Sequence, residues 1–159
     1  MRDKLKIGVV AIAAVAAGLF AAWKLVPDRR TAEEQILDSL VQIQKAVQEK
    51  DLRGTMRHVS EAYGDPTVES KRELVQLTVG AYRQPGGFQV TLQAGRPEVQ
   101  GTQASVDVRV EFTVVEGPAA RRVPPFTVQT RWAREKAGWK IVRAEGYWEG
   151  QKAFEEVGW

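Results

Sequence analysis

The sequence predicts an α+β domain in which three helices pack on a curved antiparallel sheet of four or more strands, behind an N-terminal transmembrane helix. Three observations support this prediction. Residues 7–23 form an uncharged apolar run, residues 31–83 repeat apolar positions at helical spacing, and residues 88–148 alternate apolar and polar positions. We therefore divide the 159 residues into an anchor and juncture, 1–30, and one domain, 31–159.

The apolar run extends from Ile7 to Trp23 and reads IGVVAIAAVAAGLFAAW. Its length spans roughly 25 Å, so a membrane crossing needs the flanking apolar positions as well and covers residues 5–26. A basic start before an apolar run also fits a cleaved signal peptide, and residues 14–16 offer an A-x-A site. We favour an uncleaved anchor, because cleavage there would leave an apolar terminus. The expected location is a bacterial cell membrane, crossed once, with the domain outside the cytoplasm.

Three helices are expected between the anchor and the strands. Thr31 begins the capping-box sequence T-A-E-E, and apolar positions continue a helix to about residue 50. Asp51 caps a second helix over residues 52–62. A third helix runs over residues 70–83 and stops at the sequence Gln-Pro-Gly-Gly.

The second half of the domain has the alternation of half-buried strands, with one apolar and one polar face. The connections EGPAARRVPP and REKAG have turn composition, so neighbouring strands are expected to be antiparallel. Short extra pairings are expected around residues 97–100. The four main strands are predicted at residues 88–94, 106–114, 126–132 and 139–148.

Charge and composition exclude several classes of function. Residues 1–30 carry six basic and two acidic residues, while residues 31–159 carry 17 basic and 18 acidic residues. A domain this close to neutral lacks the basic surface of a nucleic-acid binder, so we predict no nucleic-acid partner. The chain has no cysteine and one histidine, so neither a metal site nor a cofactor is predicted.

The sequence SEAYGDPTVES holds the candidates for chemistry. Gly64, Asp65 and Pro66 have turn composition, which favours a joint between two helices with Tyr63 packed inward. A catalytic pair of Tyr63 and Asp65 is the alternative if both point into a cavity. His58 is the candidate general base, although its polar helical neighbours favour an exposed or half-packed helix position.

Aromatic residues concentrate in the predicted strands and could either fill a core or line an apolar ligand pocket. Thr130 is the one polar residue in the inward register of its strand. The predicted ligand-binding residues are Phe112, Thr130, Trp132 and Tyr147.

The helix order, the S-x-x-Y-x-D sequence that ends at Asp65, and the strand sequence GWKIVRAEGYW resemble the nuclear transport factor two-like superfamily (cystatin-like cone fold, SnoaL-like). The resemblance covers about residues 31–148. It implies a cone between sheet and helices, where the enzymes of this superfamily, such as ketosteroid isomerase and scytalone dehydratase, place Asp, His or Tyr. An anchor before such a domain is also similar to assembly factors of type IV secretion systems.

Three hypotheses of function remain open on the sequence. The first is a membrane-anchored, non-enzymatic domain that binds a partner protein or a small apolar ligand. The second is a cavity enzyme of the dehydratase or isomerase type, and the third is a structural subunit of an envelope assembly. A homodimer through the polar sheet face is a further expectation. The enzyme hypothesis requires at least two ionisable groups that converge in the cavity.

Overall fold

The computed structural model describes residues 28–148 and 151–152. The chain divides into two units between Arg30 and Thr31. The described part of the second unit contains three helices followed by six strands: α1 (Ala32–Gln48), α2 (Leu52–Met56), α3 (Lys71–Arg83), β1 (Gly87–Ala94), β2 (Glu98–Gln100), β3 (Gln103–Glu116), β4 (Ala119–Glu135), β5 (Gly138–Trp148) and β6 (Gln151–Lys152).

The predicted anchor at residues 5–26 lies outside the described residues and stays a prediction. Within residues 28–148 and 151–152, none of the helices has both the length and the apolar character to cross a bilayer.

The strands form one antiparallel sheet in the order β1-β3-β4-β5-β6. β1 and β2 pair with different parts of β3, on the same side of it. Together they occupy the position of one interrupted strand. The α+β class and the extra pairing near residues 97–100 are therefore confirmed.

The helix starts agree with the capping signals in the sequence. The Thr31 hydroxyl accepts the Glu34 N–H at 3.2 Å, and the Glu34 carboxylate accepts the Thr31 N–H at 2.7 Å. The Asp51 carboxylate accepts the Gly54 N–H at the start of α2, and the Ser70 hydroxyl accepts the Glu73 N–H at the start of α3. Each cap satisfies a backbone N–H that has no partner within its helix, which fixes where the helix begins.

The predicted end of the second helix is wrong. α2 stops at Met56 rather than at residue 62, because the following segment bonds to the free edge of β5 instead of continuing the helix. The Ser60 N–H donates to the Ile141 carbonyl at 2.9 Å, and the Ile141 N–H donates to the His58 carbonyl at 2.8 Å. We call residues 58–64 the edge segment.

Helix α1 covers the opposite edge of the sheet with two glutamine side chains. Gln48 Nε2 donates to the Val90 carbonyl, and Gln44 Oε1 accepts the Leu92 N–H, both at 2.8 Å. These bonds satisfy groups of β1 that have no neighbouring strand.

The predicted turn EGPAARRVPP is wrong over most of its length. Only Gly117 and Pro118 form the hairpin turn, and β4 begins directly after them. Val110 pairs with Phe126 and Phe112 pairs with Val123, so Pro124 and Pro125 lie in a β-bulge. A bulge accommodates proline because it leaves backbone positions outside the ladder, where no N–H is needed.

The apolar face of the sheet and the inner sides of α1 and α2 form the core, in which Ile36, Val106 and Trp132 are at most 1% exposed. Three large apolar side chains of the helices are exposed, namely those of Leu37, Val41 and Leu77. Leu77 belongs to α3, which contains no fully buried residue, so this helix packs only its half-buried positions against the domain.

Candidate functional site

Two of the predicted ligand-binding residues fill the core. The Thr130 hydroxyl donates to the Val106 carbonyl at 2.9 Å and accepts the Trp132 indole N–H at 2.8 Å. Both side chains are buried, so their polar atoms satisfy each other inside the domain. Phe112 packs half-buried against this core. The side chain of Tyr147 lies outside the described part, and a ligand role for these residues stays a prediction.

Tyr63 and Asp65 form a hydrogen-bonded joint between α2 and α3. The Tyr63 hydroxyl donates to Asp65 Oδ2. Asp65 Oδ1 accepts the backbone N–H groups of Thr67 at 2.7 Å and Val68 at 2.8 Å. Burial, and then the Asp65 carboxylate, raise the pKa of Tyr63 well above its ordinary value, so the phenol stays neutral. This geometry is that of a turn in which the carboxylate already has three donors.

We expect Asp65→Ala to lower the free energy of unfolding by about 2–3 kcal/mol, because the change leaves three donors without their charged acceptor. Tyr63→Phe removes only one donor from the same carboxylate and should cost about 1 kcal/mol. Chemical denaturation of both variants, followed by tryptophan fluorescence, measures the difference. An Asp65→Ala variant within about 0.5 kcal/mol of wild type would contradict the structural role of the joint.

His58 lies elsewhere than the sequence suggests. It follows α2 in the edge segment and is only 7% exposed, so the prediction of an exposed or half-packed helix position is wrong. The reason is that its backbone carbonyl bonds to β5, which draws the residue against the sheet. Arg57 Nε donates to His58 Nε2 at 3.1 Å, which requires a neutral ring.

The pKa of His58 is lowered to about 4 by burial and by the charges of Arg57 and Lys140, against the weaker opposite effect of Asp38. In the unfolded chain the imidazole titrates near its ordinary value of 6.5. The neutral ring therefore stabilises the fold above pH 6.5, and this contribution is lost as the pH falls from 6.5 towards 4.

Between pH 7 and pH 5 we expect the wild type to lose about 2 kcal/mol more stability than His58→Gln, which cannot titrate. Denaturation curves of both proteins at several pH values measure this difference, and the subtraction removes the titration of the carboxylates. Parallel pH profiles would show that His58 does not titrate abnormally.

A pocket of about 520 Å³ lies on the polar face of the sheet, where β2 to β5 run side by side. Successive strands of the ladder place Ser105, Arg131 and Arg143 next to one another in a row. Gly64 of the edge segment borders the pocket beside β5. The lining residues on the polar face are Glu98, Gln100, Gln103, Ser105, Gln129, Arg131, Ala133 and Arg143.

Gly64 joins this pocket to the Tyr63–Asp65 joint. Its N–H donates to the Val142 carbonyl at 3.1 Å, and a Cβ at this position would lie 2.9 Å from the Glu69 carbonyl oxygen. Only glycine therefore allows the edge segment to approach both β5 and the start of α3. Arg143 acts electrostatically on the Tyr63 phenol, which places its charge near the joint.

The structure does not bring the three predicted catalytic candidates together as a free catalytic group. His58 is hydrogen-bonded by Arg57, whereas the Tyr63 phenol is bonded to Asp65. Within residues 28–148 and 151–152, no cluster of three histidine or acidic side chains is placed to hold a metal ion.

Sequence reasoning misses the pocket on the polar face. Period-two alternation places Arg131 and Arg143 outward, but which residues lie beside them depends on the register between strands. A β-bulge between β4 and β5 shifts the register by one residue. Arg131 therefore pairs with Arg143, whereas Trp132 pairs with Ile141. Only this register shows that the two arginines are adjacent.

Several solved structures similar to this domain are nuclear transport factor 2-like proteins, and one of them is described as having a cystatin-like fold. A nuclear transport factor 2-like protein with a cystatin-like fold from Novosphingobium aromaticivorans is 19% identical, with a TM-score of 0.62 over 82% of this chain and 87% of that one. A superfamily protein from Salmonella enterica is 14% identical, with a TM-score of 0.62 over 80% and 95%.

A ketosteroid isomerase-like protein from Erwinia carotovora is 14% identical, with a TM-score of 0.61 over 72% of this chain and 94% of that one. At these identities the likeness shows the fold alone. Neither a protein-family model nor a curated protein sequence matches the chain. The residues of the site must therefore carry any argument about function.

Proposed function

We propose that residues 31–159 form a non-enzymatic binding domain for a partner protein, held on the outer side of a bacterial cell membrane by an anchor at residues 5–26. The observation that carries this proposal is the position of the described pocket. It opens on the polar sheet face. Trp132 also contributes to its lining, but Trp132 and Thr130 are buried in the core. A polar, surface-facing pocket suits a protein partner better than a small apolar ligand.

The candidate catalytic groups also favour binding over catalysis. An isomerase or dehydratase needs a general base or acid that is free to exchange a proton with its substrate. The Asp65 carboxylate accepts three hydrogen bonds, and burial lowers the pKa of His58 to about 4. A cavity enzyme, to which the ketosteroid isomerase-like neighbour would point, remains the alternative, and a structural subunit of an envelope assembly is the third hypothesis.

Site-specific photo-crosslinking of the full chain in the membranes of its own host tests the proposal. A photoreactive amino acid replaces Gln103, which is exposed and lines the pocket. The matched control places it at Val41, which is 66% exposed on α1. We expect a discrete cross-linked product from position 103 and none from position 41.

Three outcomes would contradict the proposal. Absence of any product from position 103, or equal products from both positions, would show that the pocket face is not the binding surface. A product of twice the mass of the chain would identify a second copy as the partner, and the proposed partner protein would be replaced by a homodimer.

A further inference from the structure

The pocket on the polar face contains two arginines that oppose each other directly. Arg131 of β4 and Arg143 of β5 are register partners, and both line the pocket. Side chains at such positions stand within about 5.5 Å of each other at their Cβ atoms. Two positive charges directly opposite each other on one sheet face destabilise the pairing of their strands.

Only one of these charges is balanced within the described part of the chain. Arg143 Nε donates to the Glu145 carboxylate two residues along the same strand. The Arg131 side chain forms no hydrogen bond or ion pair with residues 28–148 or 151–152, and the residue is exposed. Its five N–H donors are therefore available to a ligand in the pocket.

The charges around Arg131 favour one class of anion. Among the described residues that line the pocket, Arg131 and Arg143 are positively charged and Glu98 is negatively charged. Because Glu145 pairs with Arg143 and Glu98 adds a second negative charge to the surroundings of Arg131, a singly charged anion suits the site better than a doubly charged phosphate. A carboxylate also matches the planar guanidinium with two parallel hydrogen bonds.

The remaining lining residues add polar contacts for a peptide. Ser105 lies between Glu98 of β2 and Arg131 in the row across the sheet. Gln103 and Gln129 also line the pocket, and each side-chain amide can both donate and accept. At about 520 Å³, the pocket has room for an acidic side chain with its neighbouring peptide groups.

We propose that this pocket binds a carboxylate on an acidic side chain of the partner protein, and that Arg131 makes the main contact. The inference rests on the proposed function and names the chemistry of the partner at the same site. It predicts a weak contact for an isolated acidic residue, with a Kd on the order of 1 mM, because the arginine is exposed and screened by salt.

The test is a titration of the full chain in detergent micelles with small probe molecules. Binding is monitored through the backbone amide chemical shifts in NMR spectra. The probe is acetyl-Gly-Glu-Gly-amide, and the matched probe acetyl-Gly-Gln-Gly-amide lacks only the charge. Inorganic phosphate is the third probe. We expect saturable shifts at residues 103–105 and 129–132 with the glutamate peptide, and at least tenfold weaker binding of the other two probes.

Three variants assign the contact. Arg131→Gln should weaken binding of the glutamate peptide at least tenfold, whereas Arg131→Lys should restore part of it. Arg121→Gln removes the same charge from an exposed arginine of β4 outside the pocket lining and should leave binding unchanged. An unchanged amide spectrum elsewhere in each variant shows that the fold is retained.

The proposal is overturned if the glutamate peptide causes no saturable shifts, if the glutamine peptide binds equally well, or if phosphate binds more tightly. It is also overturned if Arg131→Gln and Arg121→Gln behave alike. These failures can be distinguished from failure of the proposed function, because cross-linking from position 103 does not depend on a carboxylate. If the cross-link from position 103 forms but the glutamate peptide does not bind, the proposed binding domain stands and the acidic ligand is ruled out.

Discussion

Replacing Trp132 by alanine is expected to destabilise the domain by about 3–5 kcal/mol, the cost of removing a large aromatic side chain from a packed core. Trp132 is 1% exposed and packs among the buried residues of the sheet and helices. The loss also leaves the Thr130 hydroxyl without the indole donor it accepts from. Chemical denaturation followed by circular dichroism measures the effect.

The size of this effect tests whether the interior is filled. Trp132→Phe is the matched control, since it retains an aromatic ring and removes the N–H donor, and it should cost much less than alanine. If Trp132 instead lined an open apolar ligand cavity, truncation to alanine would destabilise the domain much less, because the side chain would have few packing contacts to lose. That result would revive the small apolar ligand of the first hypothesis.

Gly86→Ala is the second substitution with a large expected effect. It should lower the free energy of unfolding by about 3 kcal/mol or more, because backbone strain and a steric clash act together. Gly86 has a φ of 92°, a backbone conformation that side chains with a Cβ rarely adopt. A Cβ there would also lie 2.2 Å from the Val115 carbonyl oxygen, so the junction of α3 and β1 would have to shift.

Two further glycine substitutions separate these causes. Gly117 has a φ of 59°, but a Cβ added there would have nothing within 4 Å, so Gly117→Ala measures backbone strain alone, about 1 kcal/mol. Gly87 also has open space and does not have a positive φ, so Gly87→Ala should stay within about 0.5 kcal/mol of wild type. Equal losses at positions 86 and 117 would contradict the steric contribution of Val115.

Local signals in the sequence predict much of the fold. The three helix starts follow from caps that bond within a few residues, at Thr31, Asp51 and Ser70. The strand alternation predicts which residues of β3 and β4 face the core, because side chains of a strand alternate strictly between its faces. The turn role of Asp65 is likewise visible, since an aspartate before proline bonds to its own neighbours.

Interactions between distant residues account for what could not be predicted. The end of α2 depends on bonds between residues 58–64 and β5, which lies about 80 positions later in the chain. The burial of His58 follows from the same contact. The pocket depends on a bulge that sets the register of Arg131 and Arg143. None of these features has a local pattern, because each requires knowledge of which strand lies beside which segment.

The covering of parts of both sheet edges, at β1 and at β5, has a consequence for how the protein behaves when it is damaged or newly made. An unpaired strand edge readily recruits a strand from another molecule, which begins aggregation. In this domain Gln44 and Gln48 of α1 occupy the backbone groups of β1, and the edge segment occupies those of β5. Local opening of either cover would expose an edge that can pair with another chain while most of the core remained intact. The helical half of the chain therefore acts as the domain's own protection against self-association.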